Sequence, residues 1–146
     1  MNEFRRSFDQ LFNSLSTVSR PRPDGETVFV PAVETGWTDE NLNLRFVIPG
    51  VTEKDLRLTV QGNQLIIQGE RKAPENFAKD GNAFWQVAYG KFERAVDLPN
   101  GLDVDKLRAH LHDGFLDVQI PVSEAMRPRN VQIQIGTSEA RQLAAA

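Results

Sequence analysis

The chain has 146 residues, a size at which one hydrophobic core with leftover arms is expected and a two-domain enzyme is excluded. Hydrophobic residues at 40% and charged residues at 25% exclude wholesale disorder, and a net charge of -3 without any basic run excludes nucleic acid as a partner. Cysteine is absent, which excludes disulfides, thiolate zinc sites and a cysteine nucleophile.

A chain without cysteine fits a reducing compartment, so a cytoplasmic location is expected. Its start lacks the apolar core of a signal peptide, and no stretch approaches the ~20 apolar residues that span a bilayer. Neither a membrane partner nor export is expected.

In residues 1–19, Phe4, Phe8, Leu11, Phe12 and Leu15 recur at spacings of three and four. This is the period of a short amphipathic helix, which is marginal alone and needs a surface to bury against. Arg20-Pro21-Arg22-Pro23-Asp24-Gly25 reads as a linker, because two prolines fix extended backbone and Asp-Gly favours a turn. From Thr27 onward the pattern changes to short β segments separated by turn residues.

Leu42, Leu44, Phe46 and Ile48 alternate with polar or outward positions until Pro49-Gly50 ends that strand. Leu56, Leu58 and Val60 repeat the alternation. Gly62-Asn63 supplies positive-φ residues for a reversal, with Leu65-Ile66-Ile67 as the return strand of a hairpin. Leu107, Ala109 and Leu111 lead into Asp113-Gly114, with Leu116, Val118 and Ile120 beyond it, and Pro121 closes this strongest hairpin signal. Several short strands without a convincing internal helix predict an all-β, antiparallel sandwich with one shared core.

Between Lys72 and Phe84 lies a polar stretch with glycine and asparagine, too long for a tight turn, and loops of that length are usually functional. After Pro121 the chain turns polar through Met126-Arg127-Pro128-Arg129. Val131, Ile133 and Ile135 then alternate with polar residues as a further strand without an obvious partner in the chain's own hairpins.

Chemistry is sparse. Neither phosphate-cradling glycine motif occurs, so no nucleotide cofactor is expected. No G-x-S-x-G elbow is present, and the six serines lie in the arms. His110 and His112 stand two apart on one predicted strand and share a face, but two imidazoles underdetermine a metal site even if Asp113 or Asp117 joined them. Asp103 and Asp105 read as solvated turn residues. The aromatics Trp37, Phe84, Trp85, Tyr89 and Phe92 lack interleaved cations and read as core or interface packing rather than base-stacking platforms. No catalytic residue, cofactor or metal is expected.

Several segments, taken in order, resemble the small heat shock protein family. They are Pro31-Ala32-Val33-Glu34, Ile48-Pro49-Gly50-Val51, Leu65-Ile66-Ile67-Gln68-Gly69-Glu70-Arg71-Lys72, Tyr89-Gly90-Lys91-Phe92-Glu93-Arg94 with Leu98-Pro99, and Ala109 to Leu116 ending in Gly114-Phe115-Leu116. Phe115 stands where the family usually has valine. The resemblance implies an immunoglobulin-like β-sandwich, the α-crystallin domain, over residues 30–122. It would follow an arm over 1–29, an amphipathic helix plus the proline linker, and precede an extended tail over 123–146.

Val131-Gln132-Ile133 is similar to the family's aliphatic tail motif, with Ile135 offering a second register. The resemblance implies that these side chains plug an apolar groove on a neighbouring copy. An ordinary edge strand of the same domain is the alternative. Residues 73–86 would be a dimerisation loop exchanged with a partner, presenting Phe77, Phe84 and Trp85. Arg94 would belong to the dimer-related strand, unless it is a plain surface arginine. The implied activity is ATP-independent capture of partly unfolded client proteins, with Phe4, Phe8, Leu11, Phe12 and Leu15 as client-binding arm and homodimers building larger oligomers. The alternative is a p23-like co-chaperone or adaptor that binds one folded partner.

Overall fold

The computed structural model describes residues 6, 19–21, 27–78 and 83–136. The arm residues Phe4, Phe8, Leu11, Phe12 and Leu15, with the helix expected of them, lie outside the described residues, as does everything after residue 136.

Nine strands form two sheets. In chain order they are β1 (Ser19–Pro21), β2 (Thr27–Phe29), β3 (Val33–Trp37), β4 (Asn41–Val47), β5 (Leu56–Gln61), β6 (Gln64–Arg71), β7 (Gly90–Asp97), β8 (Arg108–His112) and β9 (Phe115–Pro121). The first sheet runs β1-β2-β7-β6-β5 and the second β3-β4-β9-β8. Three single-turn 3-10 helices, Glu53–Asp55, Val104–Lys106 and Glu124–Met126, accompany the strands.

Alternation in the sequence becomes two facing rows. Leu42, Leu44 and Phe46 of β4 stand opposite Ile120, Val118 and Leu116 of β9, and all six are buried. In the other sheet Leu65 stands opposite Val96, with Ile67 buried beside it. These residues join Ile48, Phe92 and Leu98 in one hydrophobic cluster fed by both sheets. Each fully buried aliphatic or aromatic side chain contributes roughly 1.5–3 kcal/mol relative to exposure, so this shared layer is the main source of stability.

Turn chemistry fixes the register. At the β8–β9 reversal Asp113 and Gly114 both have positive φ, 50° and 82°, as a two-residue type I′ turn requires. At the β5–β6 reversal the positive φ falls on Gly62 alone, the type II′ pattern.

Three expectations change. Arg20-Pro21 is not linker but part of β1, which pairs antiparallel with β2. Proline is tolerated there because β1 is the outermost strand and Pro21 is its last residue, where the loss of one N–H disturbs the sheet least. Pairing is not antiparallel throughout, since β2 meets β7 in parallel at Phe29 and Phe92. Finally, the alternation at Val131, Ile133 and Ile135 yields no strand: residues 127–136 carry no regular structure.

Candidate functional site

Among the described residues no group of three or more His, Cys, Asp or Glu side chains is placed to hold a metal ion, and no helix is long and apolar enough to cross a membrane. The described residues singled out as candidate contacts lie mostly on a loop and a tail, and two sheet edges carry incompletely covered aliphatics.

The sheet edge arises from topology. β5 and β8 each end their sheet and are paired on one side only. On β5 the alternation that buries Leu65 and Ile67 of neighbouring β6 leaves Leu56 and Leu58 half-buried and Val60 exposed. On the other edge Leu107 and Leu111 are half-buried against the same core cluster. Inner-facing aliphatics that their own chain only partly covers form an apolar margin open to another strand.

Val131, Ile133 and Ile135 are 77%, 90% and 101% exposed, in contrast to the buried alternating triplets of β4 and β9. An edge strand of the same domain is therefore not how this chain uses them within one protomer. The segment leaves the domain through the turn Glu124–Met126, where Met126 packs over Gly101 and Ser123 N–H donates to the Gly101 carbonyl at 2.8 Å.

The loop over residues 72–89 begins and ends on one side chain. Arg71 closes β6 in phase with the inward row of Leu65 and Ile67, and it is buried. Its Nε donates to the Ala88 carbonyl at 2.9 Å and its Nη1 to the Pro49 carbonyl at 3.0 Å, while the guanidinium lies 4.7 Å from the Phe29 ring centroid. Arg71 thus ties the two ends of the loop together and to the β4 end, a role that sequence reasoning missed. The available signal was a basic residue at an inward-facing position of a strand.

Within the loop Phe77, Phe84 and Trp85 are all exposed. Phe77 and Trp85 lie with centroids 4.9 Å apart, and Trp85 meets Tyr89 edge-on at 5.3 Å. Phe84 stands apart and is 83% exposed. Trp37 and Phe92, considered with them as aromatic packing, sit elsewhere: Phe92 inside the core and Trp37 half-buried against it.

Arg94 is not a surface side chain. It faces inward on β7 opposite Ile67, is only 5% exposed, and donates from Nη1 to the buried Pro31 carbonyl at 2.7 Å. Burial lowers the pKa of its guanidinium.

On the outer face of the second sheet, β4, β8 and β9 assemble a charged cluster. Arg45 makes a two-pronged contact with Asp117, Nε to Oδ1 at 2.7 Å and Nη2 to Oδ2 at 3.1 Å, and lies 4.9 Å from the Phe115 ring centroid. His112 Nε2 approaches Asp117 Oδ2 at 2.5 Å and Nδ1 approaches Asp113 Oδ2 at 3.4 Å. Hydrogen bonds from Arg45, then from His112, hold the Asp117 carboxyl down at about 2, and hydrogen bonds to Asp117 and Asp113 raise the His112 imidazole. His110 stacks on His112 at 5.1 Å.

Residues 35–134 match the Hsp20/alpha crystallin family. The chain is 30% identical to the spore protein SP21 of Stigmatella aurantiaca over 81% of this chain and 70% of that one. It is 34% identical to an alpha-crystallin of Mycobacterium bovis over 88% of this chain and 85% of that one. Among solved structures, a small heat-shock protein from Xylella fastidiosa superposes with TM-score 0.61 at 28% identity, covering 73% of this chain and 97% of that one. The family match and these likenesses place the chain: it belongs to the Hsp20/alpha crystallin family of small heat shock proteins, which are chaperones and not enzymes.

Proposed function

We propose that this chain is an ATP-independent holdase that captures partly unfolded proteins and keeps them from aggregating under heat or other stress. The observation that carries the reading is the fully presented aliphatic triplet Val131, Ile133 and Ile135 beside a domain whose β5 and β8 margins are apolar and incompletely covered. The tail of one protomer docks along that margin of another. Burying Val131 and Ile133 completely contributes roughly 1.5–3 kcal/mol each, less the cost of ordering an unstructured segment. Such a contact is weak enough to open on warming.

A dimer precedes this assembly. The aromatic loop of one protomer reaches an edge strand of its partner. β1 carries Pro21 and the β5 and β8 margin takes the tail, which leaves β3 as the receiving edge. Dimers joined by tails and arms form the larger oligomer. Heating frees tails, exposes the apolar margin and the phenylalanine-rich arm, and lets them cover apolar patches of clients that would otherwise coalesce. The absence of any phosphate-cradling motif in the sequence supports action without nucleotide. A p23-like adaptor, binding one folded partner as a monomer, has no use for three exposed tail aliphatics.

The test is suppression of light scattering by a heat-denatured client at near-stoichiometric ratio in the absence of ATP. Full protection at that ratio supports the holdase, and unchanged precipitation removes it.

A further inference from the structure

The Arg45, His112 and Asp117 cluster is not used by the chaperone reading, yet its geometry is specific. Both imidazole nitrogens of His112 face carboxylate oxygens, Nε2 that of Asp117 at 2.5 Å and Nδ1 that of Asp113 at 3.4 Å. A carboxylate oxygen only accepts, and a neutral imidazole has only one N–H, so its second nitrogen would point a lone pair at an anion. Only the doubly protonated ring satisfies both contacts.

The surrounding charges point the same way. Facing the cluster are Glu34 from β3, Arg45 from β4, Arg108 and His110 from β8, Asp117 from β9 and Asp113 at the turn. Two guanidiniums against three carboxylates leave one negative charge in excess, which a protonated His112 balances. The cluster also occupies a mechanical junction. Arg45 on β4 grips Asp117 on β9, while His112, the last residue of β8, grips the same carboxylate across the hairpin. The turn it borders is docked at one more point, where Ile48 N–H donates to the Gly114 carbonyl at 2.8 Å and Gly114 lies against Pro49.

We infer that His112, Asp117 and Arg45 form a proton-dependent latch that fastens the edge strand β8 to β9 and β4, and so makes the firmness of the β8 margin respond to pH near neutrality. The effect on assembly rests on the tail-docking reading; the latch itself does not. The imidazole gains its partners on folding, so its pKa is raised above the unperturbed value of about 6.5. The latch is therefore fully closed below that value and opens as pH rises through the raised one. Because the cluster lies at the surface, added salt weakens it.

Two histidines in the whole sequence make the titration readable in the intact protein. Imidazole resonances are followed by NMR from pH 5 to 9, with a His110→Gln variant to assign them. The His112 midpoint is expected above 6.5 and lower in Asp113→Asn, which leaves the Arg45–Asp117 pair untouched. Amide exchange of residues 111–116, corrected for intrinsic rates, should speed up several-fold across that midpoint in the natural protein and not in His112→Gln, with β5 amides as the control. A His112 midpoint at or below 6.5, or the same pH response in His112→Gln, overturns the latch. The second arm is assembly size by light scattering over the same range. A decrease with rising pH that His112→Gln abolishes supports the coupling, and a constant size alongside a confirmed titration overturns the coupling while the latch stands. A tail-truncated chain that keeps the full assembly size separates failure of the docking reading from both.

Discussion

Phe92 fills the space that a side chain on Gly69 would need. The two residues stand opposite each other in the β6–β7 ladder, and a Cβ at position 69 would lie 2.7 Å from Phe92 Cζ and 2.1 Å from the Asp55 carbonyl oxygen. A ring of the core and a backbone turn thus close over the same glycine from two directions. Gly69→Ala has no free volume to enter, and the backbone carbonyl cannot swing aside as a side chain would. The substitution is expected to cost about 1–3 kcal/mol through overpacking. Thermal unfolding of the variant should show a Tm lower by several degrees, and an unchanged Tm would mean that the β6 to Asp55 approach is looser than described.

The tail offers the opposite case, apolar residues with no stake in the domain's own stability. Ile133→Ala should leave the unfolding of the domain within about 0.5 kcal/mol, since the side chain is 90% exposed within the protomer. It should still weaken assembly by roughly 2 kcal/mol per docked tail, more than tenfold in the association constant, if Ile133 is buried on a neighbour. Size-exclusion chromatography coupled to light scattering at several concentrations reads both populations. Equal sizes for variant and parent would remove Ile133 from the contact.

What was legible in the sequence follows from where local chemistry and tertiary packing coincide. The β8–β9 hairpin is spelled out, because Asp113-Gly114 supplies the two positive φ values and Leu116, Val118 and Ile120 keep strict alternation. The row Leu42, Leu44, Phe46 is equally plain. The β1–β2 pair was hidden, since Pro21 signals a linker unless one knows that its strand is outermost. The role of Arg71 and the burial of Arg94 were hidden for a related reason: a cation in an inward phase breaks the apolar alternation that marks a strand, and the carbonyls of Pro49, Ala88 and Pro31 that accept from the two guanidiniums help to make burial tolerable. His112 and Asp117 were noticed as neighbours in sequence, but their contact runs diagonally across the hairpin, where His110 is the residue directly opposite Asp117. Only a known register reveals that diagonal.

The loop aromatics separate dimer formation from domain folding. Phe84 and Trp85 are exposed, so a double Phe84→Ala, Trp85→Ala chain should unfold at nearly the parent's temperature when compared as dilute protomers. If the loop packs against a partner, the same chain should lose its dimer. A Trp37→Phe chain, in which Trp85 is the one remaining indole, should show blue-shifted emission as concentration rises and the ring leaves water. Emission that does not depend on concentration, together with an intact dimer in the double variant, would place the dimer contact elsewhere.

Acid stability depends on the grip of Arg45 on Asp117. The two guanidinium contacts at 2.7 and 3.1 Å, followed by the bond from His112, lower the Asp117 carboxyl from 3.8 to about 2. A carboxyl with a depressed folded-state pKa binds its proton more readily when unfolded, so its contribution is complete above the unfolded value of about 3.9 and is lost as pH falls toward 2. Asp117→Asn keeps the shape but cannot ionise, and it leaves the Arg45 fork facing a neutral amide. The variant should therefore be less stable than the parent at pH 5 to 7, and the difference should shrink steadily between pH 4 and about 2 as the parent's own carboxylate is neutralised. Urea unfolding at a series of pH values measures this. Because the pair is partly exposed, 0.5 M salt should reduce the difference at pH 6, whereas a difference indifferent to both salt and pH would show that Asp117 stabilises by packing rather than by charge.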